Sequence, residues 1–192
     1  TNLKLLFPQW SEIAWQQLHG ESHFTGMRTL YQDPTKLGAD RWAALIGARA
    51  LSKTNTLIIN SGTATTIDLL GSNGVHYGGW ILPGLSLMQT SLQSQTAQLP
   101  LAERHDGPFG FGINTNDAII NGCDAAQIGA IVQAIQISKK LNCPIETIWL
   151  DGGNAKILEQ IIAQSQAEFA LNAEVTEGLV LRGVWAWLLN SF

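Results

Sequence analysis

The hydrophobic positions of the chain follow two periods. Asn55-Thr56-Leu57-Ile58-Ile59-Asn60 is a continuous apolar run, the pattern of a strand buried on both faces. Thr66–Leu70 and Val75–Ile81 read as two further strands around the turn Gly71-Ser72-Asn73-Gly74. Ile145–Leu150 and Glu168–Ala173 predict two more. Elsewhere the period is helical: Trp42, Leu45, Ile46 and Arg49 recur at spacings of three and four, predicting a helix over Asp40–Leu51. Leu85, Met88 and Leu92 mark one face of a helix over Leu85–Gln95. A long apolar helix runs from Asp117 to Leu141, with Ala118, Gly122, Ala126 and Gly129 small enough for close packing, in the core or across a dimer. Ala155–Gln164 and Glu177–Leu189 are the last helices, and the Gly- and Pro-rich stretch Thr96–Phe111 is a loop. Residues 1–29 are weakly patterned: a short strand Leu3–Phe7 stopped by Pro8, a short helix Ser11–Leu18 capped by Ser11, then loop or edge strand up to Leu30.

Strands alternating with helices in the second half indicate α/β architecture. No internal repeat or linker divides the chain, and 192 residues suit one compact domain or two small lobes. Hydrophobic residues at 45% and charged residues at 14% describe a globular protein, and a net charge of −4 without a basic run argues against nucleic acid as a partner. No apolar run is expected to reach the length of a membrane span, and no signal peptide is read at the start, so a cytoplasmic protein without a membrane partner is expected. Cys123 and Cys143 form no CxxC motif and are expected reduced. His19, His23, His76 and His105 have no metal-ligand spacing and take surface or core roles by default. Trp185 and Trp187, two apart on the last helix, are expected to pack on different sides. Because the first residue is Thr1 rather than Met, a processed product or a piece of something longer is expected.

Three stretches carry candidate chemistry. In Leu30–Ala50 the turn formers Asp33-Pro34 precede Leu37-Gly38-Ala39-Asp40-Arg41 at a helix start. Asp40 reads either as an N-cap or as a general base that meets a ligand admitted by the small Gly38 and Ala39, with Arg41 beside it as an anion clamp. Ser61-Gly62-Thr63-Ala64-Thr65 reads either as an ordinary hairpin turn or as a phosphate site built from backbone N–H groups and hydroxyls. Asp151-Gly152-Gly153-Asn154, between a strand and a helix, is either a tight turn or a nucleotide site at a helix N-terminus.

Taken together, Tyr31…Pro34…Leu37-Gly38-Ala39-Asp40-Arg41, Gly62-Thr63-Ala64-Thr65-Thr66-Ile67-Asp68, Gly78-Gly79-Trp80-Ile81-Leu82-Pro83-Gly84 and Thr115…Gly122 resemble, in order and spacing, the type III pantothenate kinases. The resemblance implies the actin-like ATPase architecture of two ribonuclease-H-like lobes. Here the first lobe is expected to be incomplete, with residues 1–36 its remnant and residues 37–192 mainly the second lobe. It implies transfer of the γ-phosphoryl group of ATP, with Mg²⁺, to pantothenate, the first step towards coenzyme A. It implies Asp40 as catalytic base, and Gly38, Ala39 and Arg41 lining the pantothenate site with Tyr31 closing it. It further implies Gly62 and Thr63 at the ATP phosphates, Gly152 and Gly153 on the adenosine side, and Thr115 reaching pantothenate from the partner of a homodimer. No protein ligand to a metal is assigned. Two departures stand out. The family's opening Asp-x-Gly-Asn-Thr phosphate motif is not found in the chain, and Asn60 stands where the family usually has an Asp for a monovalent cation, K⁺ or NH₄⁺. Both departures keep open a non-catalytic relative that binds a ligand or a protein and regulates, and because pantothenate specificity rests on the resemblance, a different actin-like sugar or acid kinase is a third alternative.

Overall fold

The computed structural model describes residues 16–165 and 172–190. Six strands form one mixed sheet in the order β1-β4-β3-β2-β5-β6. They are β1 (Arg28–Thr29), β2 (Thr56–Ser61), β3 (Ala64–Leu70), β4 (Val75–Pro83), β5 (Thr147–Asp151) and β6 (Asn172–Val175). β2, β3 and β4 form an antiparallel meander. β5 runs parallel to β2, and β6 parallel to β5. The two-residue β1 adds a parallel edge beside β4. The helices are α1 (Ala39–Leu51), α2 (Leu85–Gln95), α3 (Thr115–Lys140), α4 (Ala155–Gln164) and α5 (Leu179–Asn190).

The apolar run in β2 is buried because helices cover both faces of the sheet. Leu57 and Ile59 point into a core built with Ile67, Leu69, Ile148 and Leu150 against α2, α3 and α4. Ile58 and Leu70 point the other way, into a second core with Leu45 and Ile46 of α1 and Leu179 of α5. On that second face α1 and α5 nearly touch: a Cβ on Gly183 would lie 1.7 Å from the carbonyl oxygen of Ala43, and one on Gly47 2.2 Å from that of Leu179. The two glycines let the helix backbones meet where any side chain would hold them apart.

Several expectations are corrected. Strands β3 and β4 extend beyond their predicted ends, to Ala64 and Pro83, so the turn between β2 and β3 shrinks to Gly62-Thr63. Residues 16–18 of the expected first helix are irregular; residues 11–15 and the expected strand Leu3–Phe7 lie outside the described residues, as does most of Glu168–Ala173. Trp187 packs on the second core, but Trp185 is 65% exposed and does not share its packing role. Helix α3 is long and apolar enough to cross a membrane, with a mean hydropathy of 1.3, contrary to the expectation that no run reaches that length. Its apolarity serves the core, since Ile119, Ile120, Ile128, Ile131 and Ile135 are buried against the sheet. Cys123 and Cys143 are buried free thiols, and burial pushes both above the ordinary thiol pKa.

The glycine crossing generates a stability prediction. Gly183→Ala forces the Cβ into the Ala43 carbonyl and is expected to destabilise the fold by about 1–3 kcal/mol, the cost of overpacking a fitted contact. Urea unfolding followed by circular dichroism measures it; an unchanged midpoint would contradict the contact.

Candidate active site

The sequence motifs meet at one end of the sheet, where the parallel strands β2 and β5 present their carboxyl ends. Ligands of open α/β sheets bind in such a crevice. A cleft of about 240 Å³ opens there, lined by Asp40, Arg41, Asn60, Gly62, Thr63 and Asp68 among others. Asp40 and the Gly62-Thr63 corner, 23 residues apart in sequence (63 − 40), thus face one space.

Asp40 is not the N-cap of α1. Gly38 occupies that position without a side-chain cap, and Asp40 sits in the first turn. Among the described residues its Oδ1 accepts only the neighbouring N–H of Arg41, at 2.8 Å. The carboxylate stands at the positive end of the helix dipole while facing the cleft. A Cβ on Gly38 would lie 2.7 Å from that Oδ1, so the glycine keeps the carboxylate clear. The segment before it is fixed by Asp33, whose Oδ1 accepts from the backbone of Thr35 at the start of the 3₁₀ turn Pro34–Lys36.

Arg41 points inward, and it is already paired. Its Nε donates to Asp68 Oδ2 at 3.0 Å and its Nη2 to Oδ1 at 2.5 Å, and its Nη1 donates to the Tyr31 hydroxyl at 2.7 Å. Both partners of the ion pair are buried, Arg41 at 6% and Asp68 at 2% exposure. Burial by itself lowers the guanidinium pKa, but the Asp68 carboxylate and Tyr31 outweigh it and hold the group above its ordinary value. Gly79 is the reason the pair fits: a Cβ there would lie 2.2 Å from Asp68 Oδ1 and 2.8 Å from Arg41 Nη2.

The Gly62-Thr63 corner is braced on two sides. From β4, the N–H of Gly84 donates to the Thr63 carbonyl at 2.9 Å, at an approach so close that a Cβ on Gly84 would lie 2.1 Å from the Gly62 carbonyl. From β5, the N–H of Asn154 donates to the Ser61 carbonyl at 3.0 Å and its side-chain amide to the Gly62 carbonyl at 3.3 Å. Gly152 has φ +93°, and a Cβ on it would meet the Ser61 carbonyl at 2.5 Å and Asn60 Oδ1 at 2.7 Å. Gly152 therefore abuts the strand end that lines the cleft, whereas a Cβ on Gly153 would meet nothing, and neither glycine lines the cleft itself. Asp151 turns away to cap α5, accepting from the N–H of Leu179 at 2.8 Å.

Two residues stand apart. Tyr31 joins the site through Arg41. Thr115 opens α3 after the cap Asn114 and lines a separate groove of about 490 Å³ with Met88, Leu92, Ala118, Gly122 and Ala126. Within one chain it is not part of the Asp40 cleft. Sequence reasoning named Asp68 and Gly79 only within the family motifs and gave His76 only a surface or core role; it missed Asp68 as ion-pair partner, Gly79 as the space for that pair, and the bonds of the fully buried His76. A charged residue inside the apolar strand Thr66-Ile67-Asp68-Leu69-Leu70 was the available signal, since such a group needs a partner.

A solved structure of a conserved Baf family protein from Campylobacter jejuni superposes with a TM-score of 0.60 at 22% identity, covering 86% of this chain and 68% of that one. The two share a fold, here a mixed six-stranded sheet with helices on both faces. The family model described as type III pantothenate kinase matches residues 1–137. A type III pantothenate kinase from Colwellia psychrerythraea is 38% identical over 177 residues, covering 90% of this chain and 71% of the relative. One from Aromatoleum aromaticum is 45% identical over 156 residues, covering 81% and 60%. The chain belongs to the type III pantothenate kinase family. It spans 57–71% of the length of the first relatives it matches.

The buried pair is expected to dominate local stability. Asp68→Asn leaves the Arg41 charge without its counter-ion and should cost about 3–5 kcal/mol, far above the value of an exposed ion pair. Chemical denaturation of the variant checks this; a loss below about 1 kcal/mol would mean the pair is solvated.

Proposed function

We propose that the protein phosphorylates the primary hydroxyl of pantothenate at the expense of ATP, in the first step towards coenzyme A. The observation that carries the reading is the cleft shared by the Asp40 carboxylate and the Gly62-Thr63 corner, in a chain of this family. Phosphoryl transfer asks the protein mainly for placement and charge neutralisation. The acceptor hydroxyl oxygen bonds to the γ-phosphorus, the bond to the β–γ bridging oxygen breaks, and the hydroxyl proton passes to Asp40. Gly62 and Thr63 offer backbone and hydroxyl donors to the phosphates, and Gly152 and Gly153 leave room on the adenosine side. ATP enters as its magnesium complex.

On the acceptor side, Gly38 and Ala39 leave space and Tyr31 closes the site. An arginine carries five N–H donors, and Asp68 and Tyr31 take three of those of Arg41; the remaining two, one each on Nη1 and Nη2, are the donors for the pantothenate carboxylate. Asn60 offers a neutral oxygen where the family has a carboxylate, so K⁺ or NH₄⁺ would bind weakly.

In this reading residues 37–192 are mainly the second lobe of the kinase, residues 1–36 belong to the first, and the protein works as a cytoplasmic homodimer. The groove beside Thr115, floored by Ala118, Gly122 and Ala126, would admit a second copy and bring Thr115 to the partner's pantothenate.

Asp40→Asn in the full-length protein is expected to lower kcat by about 10²–10⁴-fold with little change in the KM for ATP, measured as pantothenate-dependent ADP release. A variant as active as wild type removes the proposed base. In the same assay, exchanging potassium for sodium should change the rate by less than about twofold. Mixing Asp40→Asn with Thr115→Ala protomers is expected to restore part of the activity that each lacks alone; a mixture no better than its components argues against a site completed in trans.

A further inference from the structure

His76 lies at the edge of the acceptor site without touching the cleft. It is 0% exposed, in β4, where a register shift between Leu69 and Leu70 sets it opposite Leu70. Its ring is bonded at both nitrogens: Nε2 meets Asp68 Oδ1 at 3.0 Å and Nδ1 meets Thr29 Oγ1 at 2.9 Å. Asp68 Oδ1 also receives Arg41 Nη2. Thr29 Oγ1 accepts the backbone N–H of Tyr31 at 3.1 Å. The Tyr31 ring stacks on the His76 ring, with centroids 5.7 Å apart and planes 26° from parallel, and its hydroxyl accepts from Arg41. The polar groups therefore close a loop: Arg41 to Asp68, Asp68 to His76, His76 to Thr29, Thr29 to Tyr31, and Tyr31 back to Arg41.

The loop fixes Arg41, which lines the cleft, and Tyr31, which joins the site through Arg41. Bonds from one carboxylate leave a guanidinium free to swing about it; the Tyr31 hydroxyl removes that freedom. Tyr31 itself follows a two-residue edge strand, an element too short to hold its own orientation. His76 supplies what β1 lacks, a buried polar anchor for Thr29 and a flat surface for the Tyr31 ring.

We propose that His76 is a positioning residue for the acceptor side of the site: through Asp68 and Thr29 it holds Arg41 and Tyr31 in place before substrate arrives. The inference rests on the pantothenate kinase reading for its kinetic consequence, but the geometry it claims is independent of the substrate.

The test uses His76→Phe, which keeps a ring against Tyr31 and loses both bonds, and His76→Gln, whose amide nitrogen can still reach Asp68, in the full-length protein. His76→Phe is expected to raise the KM for pantothenate by roughly 10- to 100-fold while the KM for ATP stays within about twofold, and His76→Gln to recover most of the loss. A purely structural role would lower the unfolding midpoint and leave the two KM values in their wild-type ratio, which overturns the proposal. If His76→Phe does not fold, Thr29→Val removes the other anchor, and an unchanged pantothenate KM there overturns it. The NMR resonance of the Arg41 Nε–H separates this inference from the functional reading. Its loss in His76→Phe and retention in His76→Gln support the positioning role even if wild type turns over no pantothenate, an outcome that would sink only the reading. Its persistence in His76→Phe overturns the inference.

Discussion

The site depends on one buried ion pair. Removing a guanidinium and a carboxylate from water costs several kcal/mol each, and attraction between them recovers this only when every remaining donor and acceptor is satisfied. Arg41 and Asp68 approach that condition with a bidentate contact, Tyr31 and His76 take up further valences, and two Arg41 N–H groups are left over for a ligand. The pair in turn dictates its surroundings. Gly79 must lack a side chain, β4 must carry a polar residue at position 76, and the entrance to α1 must run close enough to β3 for Arg41 to reach across. A hydrophobic replacement of such a pair often matches its stability. What it could not match is the directionality: the pair holds a guanidinium in the same cleft that Asp40, one residue earlier, lines.

The other half of the site is made of backbone. Strands β2 and β5 end side by side, and the chain leaves both through small residues, Ser61-Gly62-Thr63 and Gly152-Gly153. Gly84 and Gly152 press on the first of these corners from either neighbouring strand. The result is an end of the sheet with few side chains and many amide groups, which suits a polyanion. Beside it stands a carboxylate whose neighbours are chosen to keep it accessible. The division between an amide-rich wall and an acid is the one that phosphoryl transfer to an alcohol requires.

Most of this architecture was legible in the sequence, because strands such as Leu57-Ile58-Ile59 and helices such as Leu85–Gln95 declare themselves by local period. The four motifs were legible too, and the structure brings those around Asp40, Thr63 and Gly79 to one sheet end. What local reading could not supply is the pairing. Asp40 reads equally as a cap or as a base, and only the structure shows that Gly38 takes the cap position while Arg41 reaches across to Asp68. His76 looked like an ordinary core histidine because its partners, Thr29 and Asp68, lie on other strands. Ends of strands were missed for a related reason: Ala64 and Pro83 are extended by the ladder between β3 and β4, not by their own propensity.

The capping of α5 by Asp151 ties the two halves together. The same strand end that leads into Gly152 clasps the start of the chain's last described helix, and that helix lies backbone to backbone on the one bearing Asp40. A shift of that strand end would bear directly on the helix that carries Asp40, because no side chain stands between the two helix backbones.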